Sequence, residues 1–173
     1  MRILDMLDVR TVIFGSGAAR RCPQGMEKAR ATEKLVWFLQ ICDHVGDAYG
    51  IRTAIEPLNH TETNMLNTVS ETAQLVQELG LSNIGILADM FHMAIEQEDP
   101  QELAVYQNRI LHFHASEAPG RVYPGKFGGE YLKRCGAVLR KAAVEKDVTV
   151  ECVFESFETQ AAAAFQFMKE NFA

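Results

Sequence analysis

Four side chains that can bind a metal ion recur at intervals of about one strand–helix repeat. They are Glu56, Asp89, His114 and Glu151, separated by 33, 25 and 37 residues. Each lies at or near the carboxyl end of an apolar run of strand length, and in a parallel barrel such ends meet around one mouth. Two glutamates, one aspartate and one histidine form a hard donor set that suits Mn²⁺, Mg²⁺ or Co²⁺ better than a structural zinc ion. The spacing therefore predicts one divalent-metal site.

Each of these residues also has an ordinary explanation when it is taken alone. A glutamate in a strand can be an edge charge, and a histidine in a strand is more often a satisfied core residue than a ligand. Four such residues in register are different, because burying three carboxylates together without a cation is costly. We therefore favour a metal site over four unrelated polar residues.

Two of the ligand positions have a competitor on the same strand face. His112 and His114 share a face because side chains alternate along a strand. We place the ligand at His114, nearer the strand end, and expect His112 to pack beside it. Glu155 has the same parity as Glu151, and the rule that functional residues lie at strand ends favours Glu151.

Strands alternate with helices along the chain, which predicts the α/β class with a parallel sheet. The predicted strands cover residues 11–14, 52–58, 84–88, 110–114 and 148–152, and the longer predicted helices cover 26–49, 68–79, 130–144 and 159–172. A complete (β/α)₈ barrel takes about 250 residues, so five repeats are about three short of one. The pattern alone leaves two folds open, an open doubly wound sheet or the C-terminal part of a barrel.

Composition argues against several kinds of partner. A formal net charge of −6 disfavours nucleic acid or an anionic membrane as the main partner. No apolar run has the length of a membrane span, and the N-terminal residues lack the apolar core of a signal peptide. The cysteines form no CxxC pair, which predicts buried, reduced thiols in a cytoplasmic protein. These cysteines are Cys22, Cys42, Cys135 and Cys152.

Polar segments near the first strand carry a weaker signal. Gly15-Ser16-Gly17 does not complete a GxGxxG phosphate-binding motif, so we expect a simple tight turn. Arg20 and Arg21 follow in a predicted polar loop. We interpret them as a solvated pair rather than a phosphate clamp.

The segments around the candidate ligands resemble one enzyme family. They are Glu-Pro-Leu-Asn at 56–59, Glu-Thr-Asn at 62–64, Asp-Met-Phe-His-Met at 89–93, His-Phe-His at 112–114 and Val-Thr-Val-Glu-Cys at 148–152. In this order and spacing they are similar to the xylose-isomerase-like sugar (phosphate) isomerase/epimerase family, which includes ketose 3-epimerases, hydroxypyruvate isomerases and inosose dehydratases. The resemblance covers nearly the whole chain. It implies a parallel (β/α) barrel of the TIM type, truncated to strands four to eight, as one partial domain over residues 1–173.

The resemblance also implies a role for each candidate residue. Glu56, Asp89, His114 and Glu151 would hold a divalent ion (Mn²⁺, Mg²⁺ or Co²⁺, with zinc left open), Glu56 and Glu151 would also form the acid–base pair, and His92, Arg121 and Glu62 would contact the substrate. The implied reaction is isomerisation or epimerisation of a small sugar, keto-sugar or sugar phosphate through an enediolate. A solvated loop residue is the alternative for His92. We also expect a homo-oligomer that binds a small sugar or keto acid.

Two other functions fit part of the pattern. A metal phosphodiesterase of the endonuclease IV type also places an aspartate and a histidine three residues apart, but it needs two or three zinc ions and more histidines than the five present. A non-catalytic barrel remnant or interaction protein is the third reading, because an unclosed parallel sheet exposes strand edges that favour association. We rank the isomerase or epimerase first.

Overall fold

A computed structural model describes residues 2–173 of the chain. The chain divides into two compact units, of which the first ends at Leu87 and the second spans Ala88–Ala173. Strand β3 (Ile84–Asp89) crosses this boundary. It gives its first part to the first unit and its last two residues to the second.

The first unit contains three neighbouring parallel strands. Phe14 of the first strand lies opposite Ile55 of the second, and Ile55 lies opposite Ile86 of β3. The three strands therefore run toward the same edge of the sheet. The other elements of this unit are α1 (Arg2–Met6), β1 (Thr11–Phe14), α2 (Gly17–Arg20), α3 (Lys28–Tyr49), β2 (Arg52–Ile55) and α4 (Val69–Leu79).

Local sequence signals start and end the helices of the first unit. Gly50 and Gly80 end α3 and α4 in the left-handed conformation, with φ values of 63° and 60°, which glycine adopts without a Cβ clash. Thr68 caps α4, and its hydroxyl accepts a hydrogen bond from the Glu71 N–H at 3.1 Å. The Glu71 carboxylate accepts from the Asn67 N–H at 2.7 Å. A capping box is therefore present, shifted by one residue on its carboxylate side.

The second unit contains the end of β3 and a parallel pair of strands. Phe113 lies opposite Val148, and Ala115 lies opposite Val150. Phe113, Leu132 and Cys135 are among its fully buried side chains. The elements that follow β3 are α5 (Met90–Ile95), α6 (Glu102–Val105), β4 (Ile110–Ala115), α7 (Glu130–Lys141), β5 (Val148–Val150) and α8 (Phe157–Phe172).

The predicted order of five strands and their intervening helices is confirmed, but two strands are shorter than predicted. β2 ends at Ile55 rather than at residue 58, because Pro57 has no N–H to give to a ladder. β5 ends at Val150, and the Val153 N–H bonds to the carbonyl of Arg121 at 2.8 Å instead of continuing the strand. Glu56 and Glu151 are thus the first residues beyond their strands.

Three local predictions are corrected. The segment after Gly17 is a short helix rather than a polar loop. The cysteines are free thiols as predicted, but only Cys135 is buried and the other three are partly exposed. Arg20 is not solvated, because only 5% of its surface is exposed.

Within residues 2–173, no helix is long and apolar enough to cross a membrane.

Candidate metal centre

Asp89 ends the strand that the sequence singles out most clearly. All six residues of β3 are buried, and Asp89 is itself 1% exposed. Its Oδ1 accepts a hydrogen bond from the Phe91 N–H at 2.9 Å, so the carboxylate caps helix α5. The apolar strand and the cap together fix the position of this carboxylate.

His114 and Glu151 lie on the next two strand ends of the second unit. His114 is in β4 opposite Thr149, and Glu151 follows β5, with its N–H directed to the carbonyl of Ala115 at 3.3 Å. The His114 Nδ1 and the Glu151 Oε2 are 2.6 Å apart. His114 is buried, whereas half of the Glu151 side chain is exposed.

Asp89, His114 and Glu151 together form a candidate metal-binding group, which we call the Asp–His–Glu group. Each offers one ligand atom, and these atoms lie within 4.8 Å of one another. One imidazole nitrogen and two carboxylate oxygens at this spacing fit a divalent cation. The structure thus brings together three of the four predicted ligands within one unit.

Arg121 lies against the carboxylates of this group. Its Nη2 donates to the Asp89 Oδ2 at 2.6 Å and to the Glu151 Oε2 at 2.5 Å. Its guanidinium also lies 5.0 Å from the centre of the Phe91 ring. A single cation therefore neutralises part of the negative charge that the two carboxylates bring together.

His92 is adjacent to the same group. The structure places it in helix α5 and buries it to 2% exposure, so the alternative of a solvated loop histidine is wrong. Its Nε2 lies 3.2 Å from Arg121 Nη1 and 3.9 Å from Asp89 Oδ2. The three-residue offset from Asp89 is therefore one helical turn that directs both side chains to one place.

Glu155 and His112, the two competitors for ligand positions, each pair with a residue outside the Asp–His–Glu group. Glu155 is exposed and pairs with Lys126 at 2.7 Å, and the hydrogen bond from Lys126 lowers the pKa of the Glu155 carboxyl. His112 shares a 2.8 Å hydrogen bond with the Thr149 hydroxyl and meets His114 edge to face. Burial, followed by the neighbouring His114, lowers the pKa of the His112 imidazole.

Glu56 belongs to the first unit and is also buried, with 6% of its surface exposed. Arg20 donates to the carbonyls of Phe14, at 3.1 Å, and of Glu56, so its guanidinium joins the ends of β1 and β2. A Cβ at Gly15 would lie 2.0 Å from the Glu56 Oε2. Glycine at this position therefore allows the backbone to approach the carboxylate.

Arg20 and Gly15 are the residues of the first unit that sequence reasoning missed. Burial lowers the pKa of the Arg20 guanidinium to about 10, which neighbouring Glu56 partly opposes. The glycine after an apolar strand was the available signal for Gly15. The predicted substrate contact Glu62 is exposed, and its Oε1 accepts from the Asn59 amide at 3.1 Å.

Comparisons with known proteins agree with this architecture. A family model described as "Xylose isomerase-like TIM barrel" matches residues 1–171. A D-psicose 3-epimerase from Agrobacterium fabrum is 38% identical over 87 residues, which cover 50% of this chain and 29% of that protein.

Two solved structures show the same fold. A D-psicose 3-epimerase with D-tagatose from Clostridium cellulolyticum H10 has a TM-score of 0.85 at 21% identity, over 98% of this chain and 66% of that one. The IOLI protein with a binding zinc atom has a TM-score of 0.76 at 20% identity, over 98% of this chain and 64% of that one. This chain thus matches less than two thirds of each relative's length. The predicted fold class, five strand–helix repeats of a TIM-type barrel, is confirmed, and the chain belongs to the xylose isomerase-like TIM-barrel family.

Proposed function

We propose that this chain acts as a metal-dependent isomerase or epimerase of a small sugar, keto-sugar or sugar phosphate. The observation that carries the proposal is the Asp–His–Glu group, whose ligand atoms lie within 4.8 Å of one another at successive strand ends. The named activity of the Agrobacterium relative, a ketose epimerase, supports a sugar substrate.

The metal would be held by Asp89, His114 and Glu151, with Glu56 as the fourth ligand. The strand register supports Glu56, because β2 and β3 run parallel with Ile55 opposite Ile86. Glu56 is therefore the first residue beyond β2, at the sheet edge toward which β3 runs. The oxygen-rich donor set favours Mn²⁺, Mg²⁺ or Co²⁺, with zinc as the next choice. When bound, a divalent ion polarises a carbonyl and the adjacent hydroxyl and makes the carbon-bound proton more acidic.

Glu151 and Glu56 are the proposed acid–base pair. Half of the Glu151 side chain is exposed, and Arg121 and His114 orient its Oε2. Such a carboxylate can take a proton from a substrate carbon, and a second carboxylate can return one. Return to the opposite face of the same carbon gives epimerisation, whereas return to the neighbouring carbon gives isomerisation.

Arg121, His92 and Glu62 are the proposed substrate-binding residues. Arg121 and His92 support this role because both lie within hydrogen-bond distance of each other beside the predicted ligands. Both carry N–H groups that can donate to sugar hydroxyl or carbonyl oxygens. Glu62, exposed and oriented by Asn59, would accept from a hydroxyl group.

The remaining proposals concern assembly and location. We propose a single partial barrel domain over residues 1–173, and a cytoplasmic location in keeping with the free thiols. A homo-oligomer is supported by apolar side chains on the first unit, since Ile13, Trp37 and Phe38 are 41%, 66% and 41% exposed. Analytical ultracentrifugation of the wild type and of Trp37→Glu tests this, because the variant should dissociate to a smaller species. A wild type that sediments as a monomer, like the variant, would contradict the proposal.

Metal analysis coupled to a substrate screen tests the proposed function. Protein loaded with Mn²⁺, Mg²⁺, Co²⁺ or Zn²⁺ is incubated with ketoses, among them D-psicose, and with hydroxypyruvate, and the products are identified by chromatography. We expect bound metal and an isomerised product, both lost in Glu151→Gln and retained in Glu155→Gln. Metal-independent turnover, or cleavage of abasic DNA without sugar turnover, would overturn the proposal. Bound metal with no turnover on any of these substrates would support the non-catalytic reading.

A further inference from the structure

A short hairpin presents Arg121 to the Asp–His–Glu group. Its base is a two-way backbone bridge, in which the Glu117 N–H donates to the Val122 carbonyl at 2.9 Å and the Val122 N–H donates to the Glu117 carbonyl at 3.0 Å. Val122 also bridges in parallel to Val153, just beyond β5. The hairpin is therefore attached to the ends of β4 and β5, from which His114 and Glu151 project.

The Glu117 side chain makes a second attachment. Its Oε1 accepts a hydrogen bond from the Gly125 N–H, and its Oε2 accepts one from the Gly129 N–H at 3.2 Å. Glu117 is 7% exposed. Hydrogen bonds from backbone N–H groups to a buried carboxylate are charge-assisted and stronger than those between neutral groups. Glu117 thus joins the base of the hairpin to both ends of the following turn, residues 125–129.

The opposite side of that turn is packed by α8. A Cβ at Gly125 would lie 2.9 Å from the Phe167 ring, and a Cβ at Gly129 would lie 2.2 Å from it. The two glycines have φ values of 93° and 64°, so the backbone passes between Phe167 and the Glu117 carboxylate. The turn is fixed from both sides.

Arg121 depends on this support because its own conformation is unfavourable. Its φ of 52° lies in the left-handed region, which costs a non-glycine residue about 1 kcal/mol or more. The side chain is largely buried, at 22% exposure, and its guanidinium must reach two carboxylates at 2.5–2.6 Å.

We propose that Glu117 is a positioning residue that holds Arg121 at the substrate site, through the backbone bridge at the hairpin base and the two N–H groups of the following turn. This inference rests on the proposed function for its kinetic consequence, but not for its structural one. Glu117 does not itself belong to the reacting groups, because both of its carboxylate oxygens accept backbone N–H groups.

The kinetic test uses Glu117→Gln and a double-mutant cycle with Arg121→Ala. The amide of Gln keeps one acceptor and replaces the other by a donor, so one of the two backbone hydrogen bonds is lost. We expect KM for the ketose turned over by the wild type to rise about tenfold, with kcat within twofold. A rise of this size corresponds to the loss of one hydrogen bond to a charged group. In the Arg121→Ala background the same change should leave KM unaltered. Glu130→Gln, an exposed glutamate that pairs with Lys133 at 2.7 Å, is the matched control.

Two measurements without turnover complete the test. In the wild type, the Gly125 and Gly129 amides should exchange with solvent at least tenfold more slowly than unstructured amides, and Glu117→Gln should accelerate exchange of the amide that loses its hydrogen bond. The guanidinium ¹⁵N signals of Arg121 should be distinct in the wild type and averaged by rotation in Glu117→Gln, with Mn²⁺ affinity within twofold of the wild type.

Several outcomes would overturn the inference. Unprotected Gly125 and Gly129 amides in the wild type would do so without any variant. Multiplicative effects of Glu117→Gln and Arg121→Ala on KM, or a loss of Mn²⁺ affinity that matches the rise in KM, would show that Glu117 acts by another route. If the wild type has no turnover, the proposed function fails, and the exchange and guanidinium measurements still decide whether Glu117 positions Arg121.

Discussion

Replacement of Glu151 by Gln gives the most informative perturbation of the Asp–His–Glu group. The change removes one negative charge but keeps the shape of the side chain, and it leaves Asp89 and His114 in place. A half-exposed position makes misfolding a small risk. We predict that Glu151→Gln weakens Mn²⁺ binding by about 100-fold.

The magnitude follows from the spacing of the ligand atoms. Three atoms within 4.8 Å of one another place a central ion at most about 2.8 Å from each. A doubly charged ion and a carboxylate at that distance attract by about 3 kcal/mol in the dielectric of water, which suits a half-exposed side chain. Each 1.4 kcal/mol is tenfold in affinity, so the loss is about 100-fold.

Isothermal titration calorimetry with Mn²⁺ at pH 7 measures this effect, after circular dichroism has shown that the variant is folded. Glu155→Gln is the control, because it removes the same charge from an exposed glutamate that pairs with Lys126. Its affinity should stay within threefold of the wild type. Equal losses in both variants, or wild-type affinity in Glu151→Gln, would refute the assignment of the last ligand.

Three further predictions concern stability. Thr68→Ala should lower the free energy of unfolding by about 1 kcal/mol in urea titrations, because the cap of α4 is lost; Thr32→Ala inside α3 should cost clearly less, and equal costs would contradict the cap. Phe113→Ala should cost about 4 kcal/mol in the same assay, since Phe113 is fully buried; the 70% exposed Phe165 should tolerate alanine within about 0.5 kcal/mol. Burial raises the pKa of the Cys135 thiol from 9.0 to about 12, so the stability present below pH 9 should be lost as the pH rises toward 12. Thermal unfolding at increasing pH should show a flatter decline in Cys135→Ala, and parallel curves would contradict this.

The sequence predicts best where one local signal decides the structure. The residues of β3 are apolar up to Asp89, which is a good helix-capping residue. The structure accordingly has a buried strand that leads into a helix capped by Asp89. The ends of α3 and α4 were predictable because Gly50 and Gly80 are the residues that adopt positive φ at lowest cost. The similar length of the strand–helix repeats predicted that the candidate ligands approach one another, and Asp89, His114 and Glu151 lie close together.

Contacts between distant residues set the limit of that reasoning. Arg20 reads as a solvated residue in a polar segment, but it is buried because its guanidinium satisfies the carbonyl of Glu56, 36 residues away. His92 lies in a helix of six residues, too short to show helical periodicity. Glu117 resembles any loop glutamate until its contacts with Gly125 and Gly129 are known.

Proton transfer at a substrate carbon, by a metal-dependent pair of carboxylates, is the step that defines the proposed reaction. Incubation of the Mn²⁺-loaded chain with D-psicose in deuterated water, followed by mass spectrometry and NMR of the recovered sugar, measures that transfer directly. We predict deuterium at a single carbon next to the carbonyl, none in chelator-treated protein, and none in Glu56→Gln or Glu151→Gln. Deuterium incorporation that persists in both variants, or its absence from wild type with bound Mn²⁺ on D-psicose and on every ketose of the screen, would contradict the account.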